Sequence, residues 1–189
     1  VTTDASAPLA VLALLGSLRA KSFNRMLLAA AQEVAPPGLA LTPYPEIAAL
    51  PFFDQDLEGR GDPEPVVRFK AALGAAQALL VVTPEYNSGT SAVLKNAIDW
   101  GSRGANGFKG MPVALMSASP GPLGGARVQM QLRMSFHGMG AAVMPAPDVL
   151  VGNAGSRFDD AGRLADEATR KVVGDYLVRF GRFARALRG

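Results

Sequence analysis

Residues 9–15 (LAVLALL) and 78–82 (ALLVV) are apolar without interruption, and 113–117 (VALMS) is apolar up to its closing serine. Continuous rather than alternating apolarity suits strands covered on both faces. Residues 39–44 form a weaker second strand, and 142–144 a short fifth. Helical patterns fill the spaces between. One covers 24–34 and stops before Pro36-Pro37-Gly38, and a second covers 63–76, opened by prolines that a first helical turn tolerates. Others cover 91–100 and 124–139, and a last one runs over 164–187. Strands alternating with helices imply right-handed βαβ crossovers and a mainly parallel sheet. The pattern predicts five strands in the order 2-1-3-4-5 with helices on both faces. Residues 145–160 read as an irregular surface excursion. Residues 45–61 carry turn formers around Leu50-Pro51-Phe52-Phe53-Asp54. With no repeat and no linker, residues 8–189 form one expected domain behind a loose tail at 1–7.

Two helices carry further information. In the last one, Val173, Leu177, Phe180, Ala184 and Leu187 make a single apolar stripe suited to packing on the sheet. The helix at 124–139 has two stripes. Val128, Leu132, Phe136 and Met139 share one side, and Met130 and Met134 lie opposite. A surface helix needs only the first, so the second is either a subunit interface or covered by a loop.

The 189 residues are 49% hydrophobic and 19% charged, enough for a full core. There is no Cys, which excludes disulfides, thiolate metal sites and a Cys nucleophile. That suits a reducing compartment, and the expected location is the cytoplasm. No apolar run approaches the roughly 20 residues of a membrane span. The net charge of +3 is mild. Part of it lies at Arg179, Arg182, Arg185 and Arg188, where a solvated helix face is favoured over a nucleic-acid surface.

The candidate chemistry sits where strands end. Gly16-Ser17-Leu18-Arg19-Ala20-Lys21-Ser22-Phe23-Asn24 follows the first strand and opens a helix. Free backbone N–H groups and the helix dipole make such a junction an anion site. Ser17, Ser22 and Asn24 can donate to phosphate oxygens, and Arg19 offers a charged fork. Ser22 or Asn24 can equally cap the helix. Neither a Walker A spacing nor Gly-x-Gly-x-x-Gly occurs here. Pro84-Glu85-Tyr86-Asn87-Ser88 follows the third strand and suits the edge of a flat heteroaromatic ring, with Tyr86 closing one side. Glu85 is the weakest member, readable as a surface charge. Ser117-Ala118-Ser119-Pro120-Gly121-Pro122-Leu123-Gly124-Gly125 follows the fourth strand. Its small residues let a large ligand approach, and Ser117 can reach a ribityl chain. A phosphate pocket and a ring rim at one sheet edge indicate a mononucleotide.

These segments resemble the NADPH-dependent FMN reductase family, including bacterial chromate/quinone reductases and azoreductases. The matching residues are Gly16-Ser17-x-Arg19-x-x-Ser22-x-Asn24, Pro84-Glu85-Tyr86-Asn87 with Leu94-Lys95-Asn96-Ala97-Ile98-Asp99-Trp100, and Ser117-x-x-Pro120-Gly121-x-x-Gly124-Gly125. The resemblance implies a flavodoxin-like three-layer α/β sandwich. It implies FMN, with Ser17, Arg19, Ser22 and Asn24 on the phosphate, Pro84, Glu85, Tyr86 and Asn87 along the ring, and Ser117 and Gly121 on its other side. NADPH or NADH would deliver hydride to flavin N5. A quinone, azo compound, free flavin or metal oxyanion would then accept electrons in a ping-pong cycle. No catalytic side chain and no metal are required. It further implies a homodimer or tetramer, with residues 50–54 near the boundary. Lys95, Asp99 and Trp100 read first as helix and interface residues.

The alternative is a flavodoxin-type electron carrier with a protein redox partner, although such carriers tend to be acidic and the pI here is about 9.5. A serine hydrolase is disfavoured, because there is no Gly-x-Ser-x-Gly elbow and the single His137 has no obvious acidic partner.

Overall fold

The structure, a computed structural model, describes residues 7–188; the expected tail at 1–7 lies outside it except for residue 7. Strand β1 (Leu9–Leu15) is central, with β2 (Leu39–Pro43) on one side and β3 (Ala78–Val82) on the other, both parallel. β4 (Pro112–Ala118) follows β3, and β5 (Ala142–Val143) and β6 (Val149–Val151) both pair with β4. The order is β2-β1-β3-β4-β5, as the apolar pattern predicts. The difference lies at the fifth position, which is split. β5 pairs with the start of β4 and β6 with its end. The expected irregular stretch at 145–160 therefore contains a strand. Val-Leu-Val bounded by Pro147 and Gly152 is too short to declare a period.

The split leaves a gap at the middle of β4. The Tyr176 hydroxyl fills it, donating to the Leu115 carbonyl at 2.9 Å and accepting from the Leu115 N–H at 3.0 Å. A phenol thus replaces the missing strand partner, as a buried backbone pair requires. Burial pushes its pKa from 10.0 to about 12, opposed by the hydrogen bond to Leu115.

Helices α1 (Phe23–Val34) and α6 (Glu167–Ala186) cover one face of the sheet, and α3 (Glu64–Ala75), α4 (Ala92–Gly101) and α5 (Ala126–Gly138) cover the other; the short α2 (Gln55–Glu58) lies between β2 and α3. Alternate side chains of β1 point to opposite layers: Leu9, Val11, Ala13 and Leu15 to the first, Leu12 and Leu14 to the second. On α6, Val173, Leu177, Phe180 and Ala184 are buried as their spacing predicts, while Leu187 is exposed. The arginines of α6 are not simply solvated. Arg179 and Arg185 donate to the carbonyls of Ala146 and Gly38, and Arg188, just beyond the helix, to that of Gln77, tying this end of the chain to loops around the sheet. On α5 the Val128, Leu132 and Phe136 stripe is buried, whereas Met130 and Met134 are 61% and 70% exposed, so no loop of the described residues covers them.

Candidate functional site

The loops after β1, β3 and β4 meet at the carboxyl edge of the sheet because their strands are parallel and adjacent. They are bonded into one rim. Gly16 N–H donates to Val82 at 2.9 Å and Thr83 N–H to Met116 at 3.1 Å. Gly16 permits this approach: a Cβ there would lie 2.2 Å from Thr83 Oγ1 and 2.8 Å from its Cβ. Asn24 ties the first loop to the third. Its Nδ2 donates to Ala118 O and its Oδ1 accepts from Ala118 N, both at 2.9 Å.

In the first loop Ser17 is 3% exposed, and its hydroxyl makes no hydrogen bond among the described residues. Arg19 is exposed, with its guanidinium 5.8 Å from the centroid of the Phe23 ring and no carboxylate partner among the described residues. Lys21 and Arg25 are also exposed. Four positions around the N-terminus of α1 thus offer positive charge or a free hydroxyl. Ser22 is the helix cap: its Oγ accepts from Asn24 N–H at 3.2 Å, leaving its proton to donate. Asn24 is a different case from the one expected. Its amide is committed to Ala118, so it braces the phosphate loop and has one N–H to spare.

In the second loop, Tyr86 and Gly89 exchange two backbone hydrogen bonds at 3.0 and 2.9 Å. Asn87 and Ser88 between them have φ of 48° and 64°, a type I′ turn. The turn presents Tyr86, 50% exposed, and Asn87 to solvent beside the crevice, while Pro84 is buried below. The Glu85 side chain is only 7% exposed and reaches the N-terminus of α5. It accepts from Arg127 N at 3.0 Å, Val128 N at 3.2 Å and Arg127 Nε at 2.5 Å, and pairs with the Arg127 terminal nitrogen. The N-cap of α5 is Gly125, at φ 90°, which has no side chain to cap with. Glu85 supplies that cap from another loop. Burial alone would raise the Glu85 pKa. The bonds from Arg127 and the Val128 N–H, with the Arg127 charge, outweigh it and hold the carboxyl below its ordinary value.

In the third loop Ser117 is fully buried: its hydroxyl donates to Gly124 O at 2.6 Å and accepts from Gln129 Nε2 at 2.8 Å. Both functions of the hydroxyl are spent on shaping the β4–α5 connection. Gly121 is exposed with open space around it. Residues 50–53 are clamped to α4: Asn96 Nδ2 and Trp100 Nε1 donate to Pro51 O at 2.9 and 2.8 Å, and Phe53 N–H donates to Asn96 Oδ1 at 2.8 Å. Phe52 nonetheless projects, 80% exposed. His137 is exposed in the last turn of α5, remote in sequence from all three loops. The clamping residues Asn96, Gln129 and Gln131 escape a sequence reading because their partners lie in other elements.

This arrangement has an unengaged serine hydroxyl, an unpaired arginine at a helix N-terminus and an open, small-residue loop. It fits a phosphate-bearing planar molecule. No group of His, Asp and Glu suited to a metal occurs among the described residues. Nor is any described helix long and apolar enough to cross a membrane.

The fold is flavodoxin-like, and comparison with known proteins makes the class specific. The sequence model of the NADPH-dependent FMN reductase family matches residues 9–156. An NAD(P)H-dependent FMN reductase of Pseudomonas aeruginosa is 38% identical over 180 residues, covering 95% of this chain and 97% of the relative. A quinone reductase of Escherichia coli K12 is 35% identical over 186 residues, covering 97% and 99%. Among solved structures, the flavoenzyme NAD(P)H:(acceptor) oxidoreductase FerB of Paracoccus denitrificans superposes with a TM-score of 0.85 at 31% identity, covering 93% of this chain and 97% of that one. The chain belongs to the NADPH-dependent FMN reductase family, a family of oxidoreductases.

Proposed function

We propose that this protein is an NAD(P)H-dependent oxidoreductase that uses bound FMN to pass electrons to a quinone-type acceptor. The observation that carries this is the first loop: Ser17, a buried residue whose hydroxyl has no partner among the described residues, beside an unpaired Arg19, at the N-terminus of α1. When bound, FMN supplies the two-electron chemistry that no side chain here can supply. Ser17, Arg19 and the Ser22 hydroxyl hold the phosphate, helped by the first N–H groups of α1. Pro84, Tyr86 and Asn87 border the ring, largely through backbone atoms, and Gly121 leaves room on its other side. Gly16 holds the phosphate loop against the ring rim, and Asn24 holds it against the third loop.

Exposed Tyr86, Asn87 and Gly121 would leave one side of the site open to nicotinamide and acceptor in turn, for which ping-pong kinetics are expected. Such an open face accepts flat molecules: quinones first, then azo compounds, free flavin or metal oxyanions. The Met130 and Met134 face and the projecting Phe52 favour assembly into a dimer or tetramer. The test is steady-state oxidation of NADPH and NADH by the FMN-loaded protein with menadione. Turnover without any added protein partner is expected. FMN binding without turnover would indicate an electron carrier and refute the enzyme reading.

A further inference from the structure

The turn at 86–89 is fixed to α5 at both of its ends. At its entrance, the Glu85 carboxylate accepts from the N–H groups of Arg127 and Val128. At its exit, Thr90 N–H donates to Gln131 Oε1 at 2.7 Å. Arg127 and Gln131 are one helical turn apart and share a face of α5. Between the clamps the turn closes on itself through Tyr86 and Gly89. Gly89 keeps the second clamp short, since a Cβ there would lie 3.2 Å from Gln131 Oε1. A turn locked internally has one freedom left, its orientation as a unit, and the two clamps remove it. The entrance clamp brings no uncompensated charge beside the crevice, because Arg127 and the α5 N-terminus balance the carboxylate.

We propose that Glu85 and Gln131 are positioning residues for the flavin ring. They seat the Tyr86–Asn87 rim on α5 and so set the pose of the ring without touching it. The inference rests on the FMN reading above and extends it to a specific pair of residues.

The experiment uses the full chain as wild type, Glu85→Ala, Glu85→Gln, Gln131→Ala and the double Glu85→Ala/Gln131→Ala. FMN affinity is read by flavin fluorescence titration, together with the visible band of the bound flavin and competition by inorganic phosphate. Each alanine variant is expected to lose roughly tenfold in FMN affinity with an altered flavin band. The double variant is expected to lose more than either single one. Competition by phosphate is expected to stay at the wild-type level, because the phosphate loop is a separate segment. Glu85→Gln should recover part of the loss, since an amide oxygen still accepts the two backbone N–H groups.

Wild-type FMN affinity and flavin band in both single variants would overturn the proposal. If Glu85→Ala fails to fold for want of the α5 cap, Gln131→Ala decides, because it leaves that cap intact; unchanged FMN affinity there overturns the role. A fall in stability with no change in FMN binding would mark the clamps as structural only, which also overturns it. A wild-type protein that binds no FMN overturns the functional reading itself, and is distinguished by failing before any variant is made.

Discussion

Replacing Tyr176 with Phe removes one oxygen and leaves two backbone groups of Leu115 without partners in a fully buried strand. An unsatisfied buried polar group costs about 1–3 kcal/mol, so the pair together cost about 2–4 kcal/mol allowing for partial relaxation. In a chain of this size that corresponds to a fall of roughly 5–12 °C in Tm. Urea unfolding at neutral pH should show the loss as a lower midpoint with an unchanged slope. The pH dependence provides a second check. The folded-state phenol pKa is raised from 10.0 to about 12, so the folded state keeps a proton that the unfolded state releases. The stabilisation is therefore complete below pH 10 and is lost as pH rises towards 12, by roughly 3 kcal/mol for a shift of this size. Wild type should lose stability over that range more steeply than Tyr176→Phe, and the difference between the two curves isolates this one group. A variant within about 0.5 kcal/mol of wild type, inside the range of ordinary surface changes, would refute the reasoning. Parallel alkaline curves would refute it too.

Other outcomes follow from the rim. Arg19→Ala should weaken FMN binding by about 1.5–3 kcal/mol, the worth of a charged hydrogen bond, in a fluorescence titration; unchanged affinity would show the phosphate is held elsewhere. Gly16→Ala should destabilise by about 1–3 kcal/mol through overpacking on Thr83, and adding Thr83→Ala should return part of that in a double-mutant cycle measured by thermal unfolding. Asn24→Leu keeps the branch point and the number of side-chain heavy atoms but strips both bonds from buried Ala118, and should lower stability by about 2–4 kcal/mol in chemical denaturation.

The residues that could be read from sequence differ from those that could not in the range of the interaction each makes. The bounds of β1 and β3 are legible because short continuous apolar runs of strand length suit a strand covered on both faces. β6 is illegible because three residues carry no period, and its pairing depends on where β4 ends. Ser17 and Arg19 stand out as candidates for an anion because the strand-to-helix junction is local. The packing partners of Glu85 and Ser117 are not legible. The partners of Glu85 are Arg127 and Val128, far along the chain, and what calls for it is a glycine at an N-cap in another loop. Ser117 follows a strand as a ligand-contacting serine would, yet Gly124 and Gln129 take both functions of its hydroxyl. The motif locates the loops; packing between them decides which side chains remain for a ligand.

A chain that uses bound FMN to relay electrons from a nicotinamide to a small acceptor has a direct spectral signature. It is read by anaerobic titration of the FMN-loaded protein with NADPH, followed by one equivalent of a benzoquinone. NADPH is expected to bleach the yellow flavin absorbance and the quinone to restore it with no other protein present. A flavin that stays yellow with NADPH and NADH, or one that bleaches and is not reoxidised by the quinone, would contradict that relay.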